Sequence, residues 1–234
     1  MISVIIPTYN EAGSIERVLQ SLLELQCRSG HEVIVVDGGS QDQTVPLASK
    51  YVSVIKSDKG KAKQMNAGAN TAKGTILFFA HADMAFPETT LQTICDTVDL
   101  EAYDGGGFSN VFDQHNQRIK RLGRIMNLRF RNKEQSDRHI FYGDNGIFVR
   151  KEIFDALGGF KEIPIMEDYD FSMRMKSIYR VKLIKQPPLV VSARRHIQSG
   201  FIKTRLQWIL IKKLYLMGVS PETLVNWYKD VRTL

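Results

Sequence analysis

Short runs of large apolar residues that end on an acid constrain this chain more than any other feature. Gly74-Thr75-Ile76-Leu77-Phe78-Phe79-Ala80-His81-Ala82-Asp83-Met84 is aromatic and β-branched along most of its length, the pattern of a strand buried on both faces. It runs into Asp83 instead of a turn glycine. A carboxylate at the end of a buried strand is costly unless a cation meets it. In an open α/β sheet that end faces the ligand crevice. If the strand stays extended, His81 and Asp83 project to the same side. The alternative is a loop aspartate capping the next helix, although Thr89 and Thr90 are better placed for that. The same pattern occurs twice earlier. Ile2-Ser3-Val4-Ile5-Ile6 leads through Pro7-Thr8-Tyr9-Asn10 to Glu11, and Glu32-Val33-Ile34-Val35-Val36 leads to Asp37-Gly38-Gly39-Ser40. Asp37 alone reads equally as a turn residue. Three such acids on neighbouring parallel strands gather at one edge of a sheet.

Helical periods separate these strands. Ile15, Val18, Leu19, Leu22 and Leu23 form the first, Thr44 to Tyr51 a short second, and Lys61 to Ala72 a third with Ala62, Met65 and Ala69 inward. A strand over Val52 to Ile55 lies between the last two. The alternation predicts an α/β fold with a mixed, mostly parallel sheet flanked by helices. Beyond a helix over Leu91 to Val98 it loosens. Gly105-Gly106-Gly107-Phe108 to Phe112 reads as a strand approached closely by other backbone. A basic helix spans 118–131, Ile147 to Val149 is a strand, Lys151 to Leu157 a short helix, and Glu167 opens another helix. Val181 to Ile184 and Leu189 to Ser192 are the last sheet segments, and a helical tail begins at Phe201. The expected organisation is one domain over 1–199, divided near residue 100, with a basic amphipathic extension over 200–234.

The 234 residues carry a net charge of +7 and a pI near 9.4, which favours anionic partners. Cys27 and Cys95 are the only cysteines and form no metal-binding spacing, so a reducing compartment is expected. Met1 to Ile6 has no basic leader and stops at Pro7, unlike a secretory signal. No apolar run reaches the ~18 residues of a membrane span. A cytoplasmic protein is the expectation.

Val4-Ile5-Ile6-Pro7-Thr8-Tyr9-Asn10-Glu11, Val35-Val36-Asp37-Gly38-Gly39-Ser40 with Asp42 and Thr44, Gly60-Lys61-Ala62-Lys63-Gln64-Met65-Asn66-Ala67-Gly68, Ala82-Asp83 and Glu167-Asp168 follow one another in an order that resembles family 2 glycosyltransferases. The resemblance covers roughly residues 2–196. It implies a GT-A fold, with a nucleotide-sugar half over 1–100 and an acceptor half over 101–199. It also implies a donor site drawn from Pro7, Tyr9, Glu11, Asp37, Gly39, Lys61, Gln64 and Asp83, in which Asp83 meets the ribose and a divalent metal. Mg²⁺ or Mn²⁺ suits such oxygen ligands and would let an acidic crevice accept a diphosphate. The family's D-x-D is here His81-Ala82-Asp83, so its first acid is missing. His81 orients a water or simply packs.

By resemblance Asp168 is the base that takes the acceptor proton in an inverting transfer, with Glu167 positioning acceptor or base and Asp170 a substitute. The bland reading of these acids is a helix N-terminus favouring negative charge. Arg194 and Arg195 are expected at the diphosphate, where a guanidinium fork suits phosphate. His196 is either a late metal ligand or structural, and Asp144 and Asn145 are acceptor-binding candidates. Lys61 and Lys63 are phosphate contacts or solvated helix lysines.

The tail mixes Lys203, Arg205, Lys212 and Lys213 with Phe201, Leu206, Trp208, Ile209, Leu210, Leu214 and Tyr215. It reads as a peripheral contact with the inner face of a membrane, beside a lipid-linked or lipophilic acceptor, or as a helix packed on the domain or on a partner copy in a homodimer. No nucleic-acid motif accompanies the charge, so nucleic acid is not an expected partner. Two rivals to the transferase reading stand. A sugar nucleotidyltransferase would show a glycine- and arginine-rich loop where this chain has Pro7 to Glu11. A non-catalytic nucleotide-binding or membrane-scaffold module is kept open by the missing first acid.

Overall fold

The computed structural model describes residues 1–113 and 140–228, apart from the Arg195 side chain. The basic helix expected over 118–131 lies outside the described residues. Within them, the first half alternates β1 (Ile2–Thr8), α1 (Ile15–Glu24), β2 (His31–Asp37), α2 (Thr44–Ala48), β3 (Val54–Lys56), α3 (Lys61–Thr71), β4 (Ile76–Phe79) and α4 (Thr90–Asp99). The second half contributes β5 (Gly105–Phe112), a 3₁₀ turn (Gly143–Asn145), β6 (Ile147–Arg150), α5 (Lys151–Ala156), α6 (Glu167–Ile178) and β7 (Val181–Val191). Three helices complete the described residues: α7 (Arg194–Ser199), α8 (Phe201–Leu216) and α9 (Pro221–Val225).

The described strands form one seven-stranded sheet in the order β3-β2-β1-β4-β6-β5-β7. β1 to β4 are parallel to one another, and β6 runs antiparallel between β4 and β5. The period-2 rule explains why the inner strands are apolar throughout. Ile2, Val4 and Ile6 with Ile76 and Phe78 face one layer, packed on α1 and α4, while Ile5, Leu77 and Phe79 face the other, packed on α3, α5 and α6. The chain winds outward from β1 to β3, then crosses back through α3 to β4 on the other side of β1. The carboxyl ends of β1 and β4 thus flank a topological switch point, where an open sheet leaves a crevice.

Three local expectations are corrected. β4 stops at Phe79 and does not stay extended to Asp83. Ala80 N–H still bonds to Ile5, but β6 supplies no partner beyond Ile147, and the chain turns with Met84 N–H bonded to His81 carbonyl. The final sheet material is one strand, which crosses Pro187-Pro188 with a register shift opposite Phe108 and Asn110. Thr89 does not cap α4 through its side chain, because its backbone (φ −87°, ψ 1°) lacks the extended geometry that aims an N-cap oxygen at the first turn.

The glycine run of β5 is accounted for by close approach. A Cβ on Gly105 would stand 2.7 Å from the Phe148 carbonyl oxygen, and one on Gly106 would overlap the Lys182 carbonyl of β7. Ladder backbone cannot yield as a side chain can. Gly106→Ala is therefore expected to lower unfolding free energy by at least ~2 kcal/mol, read from urea midpoints. An unchanged midpoint would contradict the β5–β7 pairing.

Candidate active site at the switch point

Glu11, Asp37 and Asp83 lie at the carboxyl ends of β1, β2 and β4, which are adjacent in the sheet. Pro7 fits in an inner strand because its side of β1 faces β4, which has already ended at Phe79. The loop after β1 is hydrogen-bonded to the loop after β2 at several points. Asn10 N–H donates to Ser40 Oγ (2.9 Å), Gln41 N–H to Asn10 Oδ1 (2.9 Å), Glu11 N–H to Thr44 Oγ1 (2.7 Å) and Ala12 N–H to Asp42 Oδ2 (3.1 Å). Asn10 has φ +54°, a left-handed conformation that asparagine tolerates better than most residues.

Asp37 organises this loop pair. Its buried carboxylate accepts from Gly39 N–H and Ser40 N–H (2.9 Å each), Ser40 Oγ (2.5 Å) and Thr8 Oγ1 (3.3 Å). Gly39 has φ +87°, which the tight turn requires. Gln64 lies behind, buried, with Nε2 donating to the carbonyls of both Thr8 and Val36 at 2.8 Å. Both residues therefore shape this side of the crevice from within. Tyr9 is half-buried at its rim, with Lys59 Nζ 3.7 Å from the ring centroid.

Glu11 and Asp83 converge on one cation. Arg194, at the start of α7, holds Nη2 at 3.4 and 3.5 Å from the two Glu11 oxygens and 3.7 Å from Asp83 Oδ2. The Glu11 side chain is 4% exposed and Asp83 34%, so Asp83 faces the crevice and Glu11 its floor. These two carboxylates are the hard oxygen donors on this edge that suit a divalent cation. Among the described residues no three His, Cys, Asp or Glu side chains come together as a ready-made cage. His196 packs its ring against Phe112 and Phe201, with centroids 4.6 and 5.1 Å away. The Arg195 side chain is outside the description.

The acids of α6 are sorted by environment. Met166, directly before them, has φ +70° and is buried among Ile165, Tyr169 and Ile211. Glu167 turns inward and is buried; burial first, and then the charge of Asp168, raise its pKa to about 7 against a smaller opposing effect of Lys61. Asp170 is buried too but paired, with Lys161 at 2.7 Å and Arg174 Nε at 2.6 Å. Asp168 remains half-buried at the crevice. Its Oδ2 accepts from Gly143 N–H at 2.6 Å and its Oδ1 from Tyr169 N–H at 2.6 Å. A Cβ on Gly143 would overlap His81 Nε2 and lie 3.5 Å from Asp168 Oδ2. The end of β4, the 3₁₀ turn and the start of α6 thus meet at one point.

Asn145 spends its side chain on that turn, accepting from Tyr142 N–H (2.9 Å) and donating to Phe108 carbonyl (2.8 Å), whereas Asp144 is exposed. The amide of Gly143 and the rings of Tyr142 and Tyr169, centroids 6.0 Å apart, are site components that sequence reasoning passed over. Burial, then Asp168 and Tyr169, push the Tyr142 hydroxyl up to about 12. The glycine at 143 was a readable signal for close approach, but nothing in the sequence said what approached.

The sequence model of Glycosyl transferase family 2 matches residues 3–158. The chain belongs to this family. It is 27% identical over 187 residues to a PGL/p-HBAD biosynthesis glycosyltransferase of Mycobacterium bovis, covering 74% of this chain and 69% of that relative. It is likewise 27% identical over 170 residues to glycosyltransferase AglE of Haloferax volcanii, covering 68% and 55%. The chain thus spans little more than half the length of AglE. The mannosyltransferase PcManGT of Pyrobaculum calidifontis, solved with GDP-Man and Mn²⁺, superposes with a TM-score of 0.70 at 23% identity over 94% of this chain and 66% of that one. TarS of S. aureus, solved with UDP-GlcNAc, gives 0.64 at 21% over 82% and 58%. The fold of this family 2 glycosyltransferase is GT-A.

A buried acid with a raised pKa links stability of the glycosyltransferase to pH. Glu167 is protonated in the folded state up to about pH 7, whereas the unfolded chain releases that proton near its ordinary value of 4.5. The contribution is complete below 4.5, falls as pH rises towards 7 and then levels off, on the order of 3 kcal/mol. Glu167→Gln should flatten that part of the stability profile; an unaltered slope would mean that Glu167 is ionised in the fold.

Proposed function

We propose that this glycosyltransferase moves a sugar from a nucleotide diphosphate donor to an acceptor hydroxyl with inversion, and that Asp168 is the base. The observation carrying the reading is the sorting of the α6 acids. Glu167 is buried, Asp170 is ion-paired, and Asp168 stands at the crevice beside His81 with its carboxylate held by Gly143 N–H. The hydrogen bond from that amide fixes one carboxylate oxygen and orients the group at the crevice. The acceptor oxygen bonds to the sugar carbon and its proton passes to Asp168. The bond from that carbon to the diphosphate breaks, and its electron pair leaves with the nucleoside diphosphate.

On the donor side, the loop held by Asp37 and Gln64 presents Tyr9 to the nucleoside. PcManGT was solved with GDP-Man and Mn²⁺ and TarS with UDP-GlcNAc, which supports a donor of this class here. Asp83, with Glu11 behind it, would hold Mg²⁺ or Mn²⁺, and such an ion supplies charge neutralisation on the departing diphosphate. Arg194 supplies a second cation at the same place and moves from carboxylates to phosphate when the donor enters.

Asp168→Asn should reduce release of nucleoside diphosphate from a matching donor at least ~100-fold while nucleotide binding persists. Retained turnover would remove Asp168 from this role. Donor class is read by thermal shift with UDP-, GDP- and dTDP-sugars, with and without Mn²⁺, since a bound donor stabilises by mass action; no shift with any of them would overturn the reading. Arg194→Gln removes the cation that the two carboxylates share, so Mn²⁺ alone should bind the donor-free variant about tenfold tighter, near 1.4 kcal/mol. Titration calorimetry showing equal or weaker binding would mean that guanidinium and ion do not share the position.

A further inference from the structure

α8 carries two apolar faces. Thr204, Trp208, Ile211 and Tyr215 recur at helical spacing, and Thr204 and Ile211 are buried. Trp208, Ile211 and Tyr215 join the cluster of Ile165, Met166 and Tyr169, so this face is docked on the wall that carries Asp168. On the opposite face Ile202, Leu206, Ile209, Leu210, Leu216 and Met217 are 48–69% exposed. Trp227, itself 50% exposed, stands beside Ile202, Leu206 and Leu210 to form a shallow apolar groove. Isolated exposed apolar side chains are ordinary, but a contiguous patch marks an interaction surface.

Charge identifies what would cover it. Over 16 residues α8 has Lys203, Arg205, Lys212 and Lys213 and no acid. Helical spacing puts Lys213 within the outward stripe and Lys203 along one border, both exposed, whereas Arg205 and Lys212 on the other border are half-buried and Lys212 Nζ lies over the Tyr169 ring. A second copy using the same patch would bring this acid-free helix against itself, so no cation of one copy would meet an acid of the other helix. No helix of the described residues is long and apolar enough to cross a membrane. An anionic lipid surface accepts both features. The apolar side chains enter the headgroup boundary, and each nearby cation adds ~1 kcal/mol.

We propose that the outward face of α8, completed by Trp227, docks on an anionic lipid surface. The inner face of the same helix contacts the Tyr169 side of the active site, so docking turns that side towards the lipid. The proposal concerns binding alone and stands whether or not the transfer chemistry is as described above.

The full chain is sedimented with vesicles of phosphatidylcholine alone and of phosphatidylcholine mixed equally with phosphatidylglycerol. It should pellet with the mixed vesicles at low salt, and much less with the neutral ones or at high salt. Leu206→Glu with Leu210→Glu alters only exposed positions, and should weaken binding about tenfold or more while thermal stability is kept. Lys203→Glu with Lys213→Glu should weaken it as well. No pelleting with the anionic vesicles, or full binding by the Leu206→Glu/Leu210→Glu protein, overturns the proposal. Light scattering separates the remaining occupant: a dimer that the leucine substitutions dissociate, with no vesicle binding, would make this face a subunit contact and the lipid assignment wrong.

Discussion

The crevice edge at β1 and β2 depends on two polar side chains that never reach the surface. Asp37 satisfies both oxygens within its own loop and on Thr8, and Gln64 donates to the carbonyls of Thr8 in β1 and Val36 in β2. Parallel strands end with backbone groups that have lost their ladder partners, and a buried group left unpaired costs ~1–3 kcal/mol. Here the Thr8 carbonyl accepts from Gly38 N–H across the strand pair, and the Gln64 amide adds a second donor to it while also reaching Val36. That closure holds the loops of β1 and β2 together, which in turn delivers Glu11 to the crevice floor.

Against that rigid edge, the cationic element comes from far along the chain. Arg194 is separated from Glu11 by 183 residues and reaches both Glu11 and Asp83 at 3.4–3.7 Å. These are ion-pair distances longer than a well-formed charge-assisted hydrogen bond. The guanidinium is also 39% exposed, so solvent screens the attraction. A buried carboxylate needs a counter-charge, and a loosely held arginine supplies one without closing the crevice.

The wall that carries Asp168 is built by packing. Met166 in a left-handed conformation, the Tyr142–Tyr169 contact and the edge-on Tyr169–Tyr215 contact, with centroids 5.9 Å apart, join the start of α6 to α8. α8 appears irregular as an amphipathic helix only because it is apolar on two sides. One side completes the domain; the other remains outside it.

Much of this was legible in the residues themselves. Apolar runs with the period of strands, separated by helical periods, determined the α/β class, and the acids following β1, β2 and β4 marked the ligand edge. Glu167 and Asp168 stood out in the sequence, but their different environments did not. Three acids within four residues have the same local pattern, and only tertiary structure buries Glu167, pairs Asp170 with Lys161 and Arg174, and leaves Asp168 beside His81. The meeting of Gly143 with His81, and of Arg194 with Glu11, was equally invisible. Strand and helix periods are set by neighbours within a few residues, so the sequence alone determines them. Burial and charge pairing are set by whatever the folded chain brings alongside, and that is decided only in three dimensions.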